Sequence, residues 1–371
     1  MAKDFVVTPY TVKGDVDYDR LIQEFGIQEI DESLMKKLEK RTGEIHHLLK
    51  RRIFFAQRDL DFALKEHEKG NLFLYTGCGP SGPIHMGHAM VWLFTKWLQD
   101  KLGIELYFQF TDDEKFLFKD KSYEEIQKWT YENMLDVIAL GFNPDKTHFI
   151  VDTRHANVVY PEAIKVAKKI TFSTVKSAFG FTNENNIGSI FYTAMQAVPA
   201  FLPCVLKKKK MACLIPHAVD QDPHFRITRD VVEKLGYYKP ASIQCRFLPG
   251  LEGSQEGKLS SSEGVAIYLT DDADTVKKKI NKYAFSGGRD TVEEHRKLGG
   301  NPEIDVSYQW LVFFEEDDDK LKKIFEDYKT GKLLTGEVKQ LLIDKLNAFL
   351  SHHQKEREKA KKVIEKFMLR Y

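Results

Sequence analysis

The stretch Leu72-Phe73-Leu74-Tyr75-Thr76-Gly77-Cys78-Gly79-Pro80-Ser81-Gly82-Pro83 decides the fold. Its apolar start reads as a buried strand, and the glycine- and proline-rich turn cannot continue it. His88 to Leu102 then carries a helical pattern, and Gly103 suits the position just past a helix end. Glu105-Leu106-Tyr107-Phe108-Gln109-Phe110-Thr111 reads as a second strand, ended by Asp112-Asp113. Strand, turn, helix and strand make a βαβ unit, whose crossover forces the two strands to be parallel. Tyr75 and Gln109 therefore reach the same edge of one sheet, the edge where open α/β sheets bind ligands.

Working outward, Met211-Ala212-Cys213-Leu214-Ile215 reads as another buried strand. Pro223 then starts a helix that runs to Gly236, with proline at the first helical position and glycine beyond the last. If that strand joins in parallel, Asp220, Gln221 and Asp222 emerge beside Tyr75 and Gln109. Upstream, Phe5 to Val12 is β-like, and helical patterns follow through about His67. Residues 141–210 are mainly helical and include the charge run Lys207–Lys210. Val265–Leu269 reads as a last strand, and Thr270-Asp271 caps helices that continue to the C-terminus. The expected division is a 1–70 segment packing on a catalytic domain of residues 71–272, followed by a helical domain of residues 273–371.

With 371 residues, 42% of them hydrophobic and 30% charged, the chain has an ordinary globular balance, which excludes a disordered or collagen-like protein. Lys+Arg 56 against Asp+Glu 55 leaves +1, which excludes binding of DNA by bulk charge but permits a locally basic face. Four scattered cysteines make no disulfide framework. The start lacks a signal-peptide core, and no run of about 18 apolar residues could span a membrane, so a cytoplasmic location is expected.

Two motifs carry chemistry. Gly77-Cys78-Gly79-Pro80 leads into His85-Met86-Gly87-His88, where bare backbone, a helix start with free N–H groups and two imidazoles three residues apart suit a phosphate. Alone, the histidine pair is equally a structural pair or half a zinc site. Gly257-Lys258-Leu259-Ser260-Ser261-Ser262 supplies one cation and several hydroxyls, which suits a loop closing over a triphosphate. Alone, it is an ordinary surface tract. Both in this order are much more specific.

Together they resemble the "HIGH" and "KMSKS" signatures of class I aminoacyl-tRNA synthetases. More narrowly, Tyr75-Thr-Gly77, Gln109-Phe-Thr-Asp-Asp-Glu-Lys115, Ile215-Pro-His-Ala-Val-Asp-Gln-Asp-Pro223 and Ala284-Phe-Ser-Gly-Gly-Arg-Asp290 resemble the tryptophanyl-tRNA synthetases of archaea and the eukaryotic cytosol. The resemblance implies an α/β fold with a Rossmann-type parallel-sheet catalytic domain, an α-helical C-terminal anticodon-binding domain and a homodimer. It implies activation of tryptophan by MgATP and transfer to tRNA(Trp).

It also assigns residues. His85, His88, Lys258 and Lys115 are implied to be catalytic. Gly77, Gly79, Pro80, His85, His88, Lys258, Leu259, Ser260, Ser261 and Ser262 would border ATP. Tyr75, Gln109, Glu114, Gln196 and Gln221 would hold tryptophan, and Arg289 with Asp290 would read the anticodon. Indole has one donor and no acceptor, so an apolar slot ending in acceptors suits it. Magnesium is expected to arrive with ATP, with no ligand from Asp112, Asp113 or Glu114.

Alternatives are a tyrosyl-tRNA synthetase, which Asp220 would suit, a small nucleotidyltransferase and a catalytically silent tRNA-binding relative. Two positions depart from the resemblance: Cys78, where many relatives carry arginine and where a thiol near a helix start could be reactive, and His217, where eukaryotic-type relatives often carry cysteine.

Overall fold

The computed structural model describes residues 6–7, 12–13, 16–253 and 265–371. Among these, strands β1 (Val6–Val7) and β2 (Val12–Lys13) form an antiparallel pair. A larger sheet contains β3 (Gln28–Glu29), β4 (Phe54–Arg58), β5 (Leu72–Cys78), β6 (Leu106–Phe110), β7 (Thr147–Val151), β8 (Ala212–Ala218) and β9 (Ala241–Cys245). Their order is β3-β4-β9-β8-β5-β6-β7. The run β9-β8-β5-β6-β7 is parallel, whereas β4 pairs antiparallel with β9 and β3 antiparallel with β4.

The chain leaves β5 toward β6 and β7, then returns to the other flank of β5 as β8 and β9. This reversal leaves a crevice beyond the C-terminal ends of β5 and β8, the kind of place where doubly wound sheets hold ligands. Because side chains alternate along a strand, the apolar runs feed two cores. Leu72, Leu74, Leu106, Phe108 and Leu214 pack with the helix Met86–Leu102, while Phe73, Tyr75, Tyr107, Cys213 and Ile215 pack beneath the helix Ile187–Ala197 and its neighbours. Phe108 is fully buried, and burying one such side chain contributes roughly 1.5–3 kcal/mol.

One tie between the helical C-terminal region and the helices beside the sheet is a buried acidic residue. Asp136, buried on the helix Tyr123–Ala139, meets His353 Nε2 at 3.1 Å and Arg357 Nε at 2.8 Å, both from the helix Thr335–Ala360. The chain then comes back to the sheet: Leu369 N–H donates to Phe149 O at 3.0 Å and the Phe367 ring packs on Phe149 at 5.2 Å. That return covers the β7 edge, which would otherwise be open to pairing.

Several local expectations are corrected. The helical patterns through about His67 are interrupted by β4, and the mainly helical 141–210 region begins with β7. Strand β9 is an addition. Val265–Leu269 forms no strand of the sheet; it crosses the start of the Met86–Leu102 helix, where Met86 N–H donates to Ile267 O at 3.0 Å and Leu269 N–H to Ile84 O at 2.8 Å. A single antiparallel bridge joins Tyr268 to His85.

Candidate active site

Register brings the site together. Tyr75 lies opposite Tyr107 and Gly77 opposite Gln109, so Tyr75 and Gln109 are diagonal neighbours on one face. The Tyr75 hydroxyl donates to Gln109 Oε1 at 2.5 Å, and Gln196 Nε2 donates to the Tyr75 oxygen at 3.1 Å. Tyr192, one helical turn before Gln196, donates its hydroxyl to Gln196 Oε1. At the other end Gln109 Nε2 donates to both carboxyl oxygens of Asp152, at 2.9 and 2.8 Å. Asp152 stands just past β7, with the Asp113 carboxyl as a neighbour.

Two buried carboxyl groups near each other disfavour both being charged at once. Burial, aided by neighbouring carboxylates, pushes Asp113 up to about 6, and burial together with Asp113 raises Asp152 well above the usual carboxylate range. Burial also raises the hydroxyls of Tyr75 and Tyr192, so both remain neutral donors.

Gly77 is exposed although its strand neighbours are buried, which opens bare backbone at the crevice. A Cβ there would lie 2.6 Å from Gln109 O. At Gly79 a Cβ would lie 1.7 Å from Lys115 Cε, so a side chain there would displace the end of Lys115 from this turn. Lys115 Nζ pairs with Glu114 at 2.9 Å, and the other Glu114 oxygen accepts from Thr111 at 2.7 Å. Asp112 points elsewhere, accepting from Thr153 N–H at 3.1 Å and Gln127 Nε2 at 2.7 Å. Among the described residues, no group of three or more metal-ligating side chains is placed to share an ion.

His85 is the N-cap of its helix: Nδ1 accepts from Gly87 N–H at 3.1 Å, which leaves the proton on Nε2 as a donor. His88 stacks on it at 3.9 Å, between His85 and Trp92. The helix start does not offer its first N–H groups freely, as expected from the sequence, because Met86 N–H is taken by Ile267 O and Gly87 N–H by His85. What faces the crevice is imidazole and helix dipole.

From the other flank, Gln221 sits half-buried at the start of the helix Asp222–Val232, with Nε2 3.2 Å from Asp220. Asp222 beneath it is held by Arg58 of β4 at 2.9 Å and by Arg226 at 3.3 Å. His217 donates from Nδ1 to Ala218 O at 2.9 Å, and burial lowers its pKa, so it is a neutral imidazole tilted against Phe225. Cys78 is buried and its thiol is raised by that burial, which removes the expected reactivity.

Lys258, Leu259 and Ser260–Ser262 lie outside the described residues. Pro80 closes the turn after Gly79 and is buried. Arg289 and Asp290 are exposed far along the chain, presented by a turn in which Gly287 N–H and the Tyr328 hydroxyl both donate to Asp305, at 3.0 and 2.8 Å. The lysine run sits at the opposite edge from the crevice: Lys207 pairs with Glu105, Lys209 reaches Gly70 O and Lys210 covers the Tyr238 ring.

Asp152, Tyr192 and Arg58 were not singled out from the sequence. A usable signal existed for Asp152 alone, a carboxylate directly after the apolar run Phe149-Ile150-Val151.

A glycine turn, a histidine-capped helix and buried glutamines at one sheet edge fit an α/β enzyme that works on a nucleotide. The family described as tRNA synthetases class I (W and Y) matches residues 67–351, and the chain belongs to it. Within that family it falls with the tryptophan–tRNA ligases. It is 53% identical to the tryptophan–tRNA ligase of Sulfurisphaera tokodaii over 99% of this chain and 96% of that one. The tryptophanyl-tRNA synthetase structure from Plasmodium falciparum is 41% identical with a TM-score of 0.89, covering 95% of this chain and 98% of that one. The Encephalitozoon cuniculi enzyme, solved bound to tryptophan, is 35% identical with a TM-score of 0.87, covering 96% and 99%. No helix among the described residues is long and apolar enough to cross a membrane.

The carboxyl pair has a measurable consequence. An acid with a raised folded-state pKa stabilises fully below its unfolded value near 4, and that stability is lost as pH rises through about 6. Asp113→Asn keeps a donor for Asp152 and does not titrate. It should raise the melting temperature by about 2 °C or more at pH 7.5 and leave it unchanged near pH 4. Equal melting temperatures at pH 7.5 would remove the claim.

Proposed function

We propose that the chain makes tryptophanyl-adenylate from tryptophan and MgATP, releasing pyrophosphate, and then passes the tryptophanyl group to the terminal adenosine of tRNA(Trp). The observation that carries this reading is the set of acceptors on Gln109 and Tyr75 at the switch-point edge, which match an indole N–H. The tryptophan bound by the Encephalitozoon cuniculi enzyme supports it. In the first step a substrate carboxylate oxygen attacks the α-phosphorus and pyrophosphate leaves. In the second, an adenosine hydroxyl attacks the carbonyl and AMP leaves. Neither step needs a covalent nucleophile from the protein, so the residues align reactants and offset charge.

In this reading His85, His88, Lys115 and Lys258 act on ATP, with Gly77, Gly79, Pro80, Leu259 and Ser260–Ser262 bordering it. His85 suits the role because its Nε2 proton is fixed by the Gly87 cap. Tyr75, Gln109, Glu114, Gln196 and Gln221 hold tryptophan, with Glu114 close enough to the turn to meet its ammonium. Magnesium enters with ATP, coordinated by phosphates and water. Residues 1–70 brace a catalytic domain of residues 71–272. Residues 273–371 bind the anticodon arm through Arg289 and Asp290. A homodimer working in the cytoplasm completes the proposal.

Amino-acid-dependent ATP–pyrophosphate exchange tests the assignment: tryptophan should support exchange and tyrosine should not, and exchange with tyrosine alone would overturn it. Lys258→Ala should lower the exchange rate on the order of 10²–10³-fold with tryptophan affinity almost unchanged, since its cation acts on the departing pyrophosphate. Lost tryptophan binding at an unchanged rate would remove Lys258 from that role.

A further inference from the structure

The hydrogen bonds behind the pocket run in one direction. Tyr192 donates to Gln196, Gln196 to Tyr75, Tyr75 to Gln109, and Gln109 to Asp152. Each side chain except Asp152 can both donate and accept, so nothing in the first four residues fixes that direction. A tyrosine hydroxyl can turn, and a glutamine amide can rotate by half a turn. Had Gln109 faced the other way, its NH₂ group would point toward Tyr75 and the pocket, and every bond upstream could reverse.

Asp152 removes the choice. It is fully buried, and its two carboxyl oxygens lie 2.9 and 2.8 Å from Gln109 Nε2, so toward Gln109 it presents acceptors. The Gln109 amide must then aim Nε2 at Asp152 and Oε1 at Tyr75. Tyr75 must donate, and its oxygen is left to accept from Gln196. The donors of Tyr75 and Gln109 are used within the chain, and lone pairs on these two side chains are what a ligand can meet.

We infer that Asp152, backed by Asp113, is the positioning residue that sets amino-acid specificity, by fixing the polarity of the Tyr192–Gln196–Tyr75–Gln109 chain so that the Tyr75–Gln109 end of the pocket offers acceptors. Such a pocket takes a ring that donates and has no acceptor, and it leaves a buried acceptor unpaired when the N–H is missing. This rests on the reading of Tyr75, Gln109 and Gln196 as the tryptophan pocket.

The test is the ratio of kcat/KM in ATP–pyrophosphate exchange for tryptophan and for 3-(3-benzothienyl)alanine, an isostere with sulfur in place of the N–H, using the full chain. The unaltered enzyme should prefer tryptophan by on the order of 10²-fold or more. Asp152→Ala should cut that ratio at least about tenfold with KM for ATP within about twofold. Asp152→Asn should keep the ratio within about threefold, because its NH₂ group pairs with the Asp113 carboxylate and its carbonyl still faces Gln109. Should Asp152→Ala fail to fold, the isosteric double variant Asp113→Asn/Asp152→Asn decides. With no carboxylate left to set a direction, its ratio should also fall. A merely structural Asp152 would slow both amino acids alike, and an unchanged ratio in a folded Asp152→Ala or double variant overturns the inference. Loss of the ratio in Asp152→Asn equal to that in Asp152→Ala overturns it too. An unaltered enzyme that gives no exchange with tryptophan overturns the pocket reading itself, a separate result.

Discussion

The hydrogen bond from Tyr75 to Gln109 crosses between neighbouring parallel strands, and it exists only because of where those strands stop and how they pair. With Gly77 opposite Gln109, the two side chains are diagonal across β5 and β6, within reach of long polar groups. Any side chain at Gly77 would collide with the Gln109 backbone. A slip of one residue would send Tyr75 or Gln109 to the opposite core. The pocket is thus a property of the parallel register, and that register comes from a βαβ crossover that the glycine turn permits.

The same turn links the Tyr75–Gln109 pair to the start of the His85 helix. Its bare backbone at Gly79 accommodates Lys115, which pairs with Glu114, while its far end leads into the helix capped by His85. Ile267 and Leu269, which follow the Lys258 tract in the chain, are hydrogen-bonded to Met86 and Ile84. The segment after that tract is therefore tied to the start of the His85 helix. The helical C-terminal region shares the core of that helix and is held beside it through Asp136, His353 and Arg357. Removing one partner from such a buried ionic cluster is costly, on the order of 3–5 kcal/mol.

Much of the centre was legible. Apolar runs bounded by glycine and proline marked β5, β6 and β8, and proline and glycine marked both ends of the helix after β8. Strands β4, β7 and β9 were hidden for different reasons. Phe54-Phe55-Ala56-Gln57-Arg58 lies between strong helical patterns and buries a glutamine, and Ala241-Ser242-Ile243-Gln244-Cys245 carries two polar residues that are buried in place. Such polar positions erase the alternation that marks a strand. The side chains found at the site were those belonging to recognisable motifs. Asp152 and Tyr192 were missed because their importance is a matter of who they touch across the fold, which no local pattern records. The free N–H groups expected at the His85 helix were absent for a similar reason, a tertiary contact from Ile267.

The central claim is that the polar end of the pocket reads the indole nitrogen with acceptors on Gln109 and Tyr75. A crystal structure of this chain with tryptophan bound tests it most directly. The account predicts the indole nitrogen within hydrogen-bond distance, about 3 Å, of Gln109 Oε1 or the Tyr75 oxygen, with Gln109 Nε2 still on Asp152. An indole nitrogen turned toward the crevice mouth, or a Gln109 released from Asp152, would contradict it.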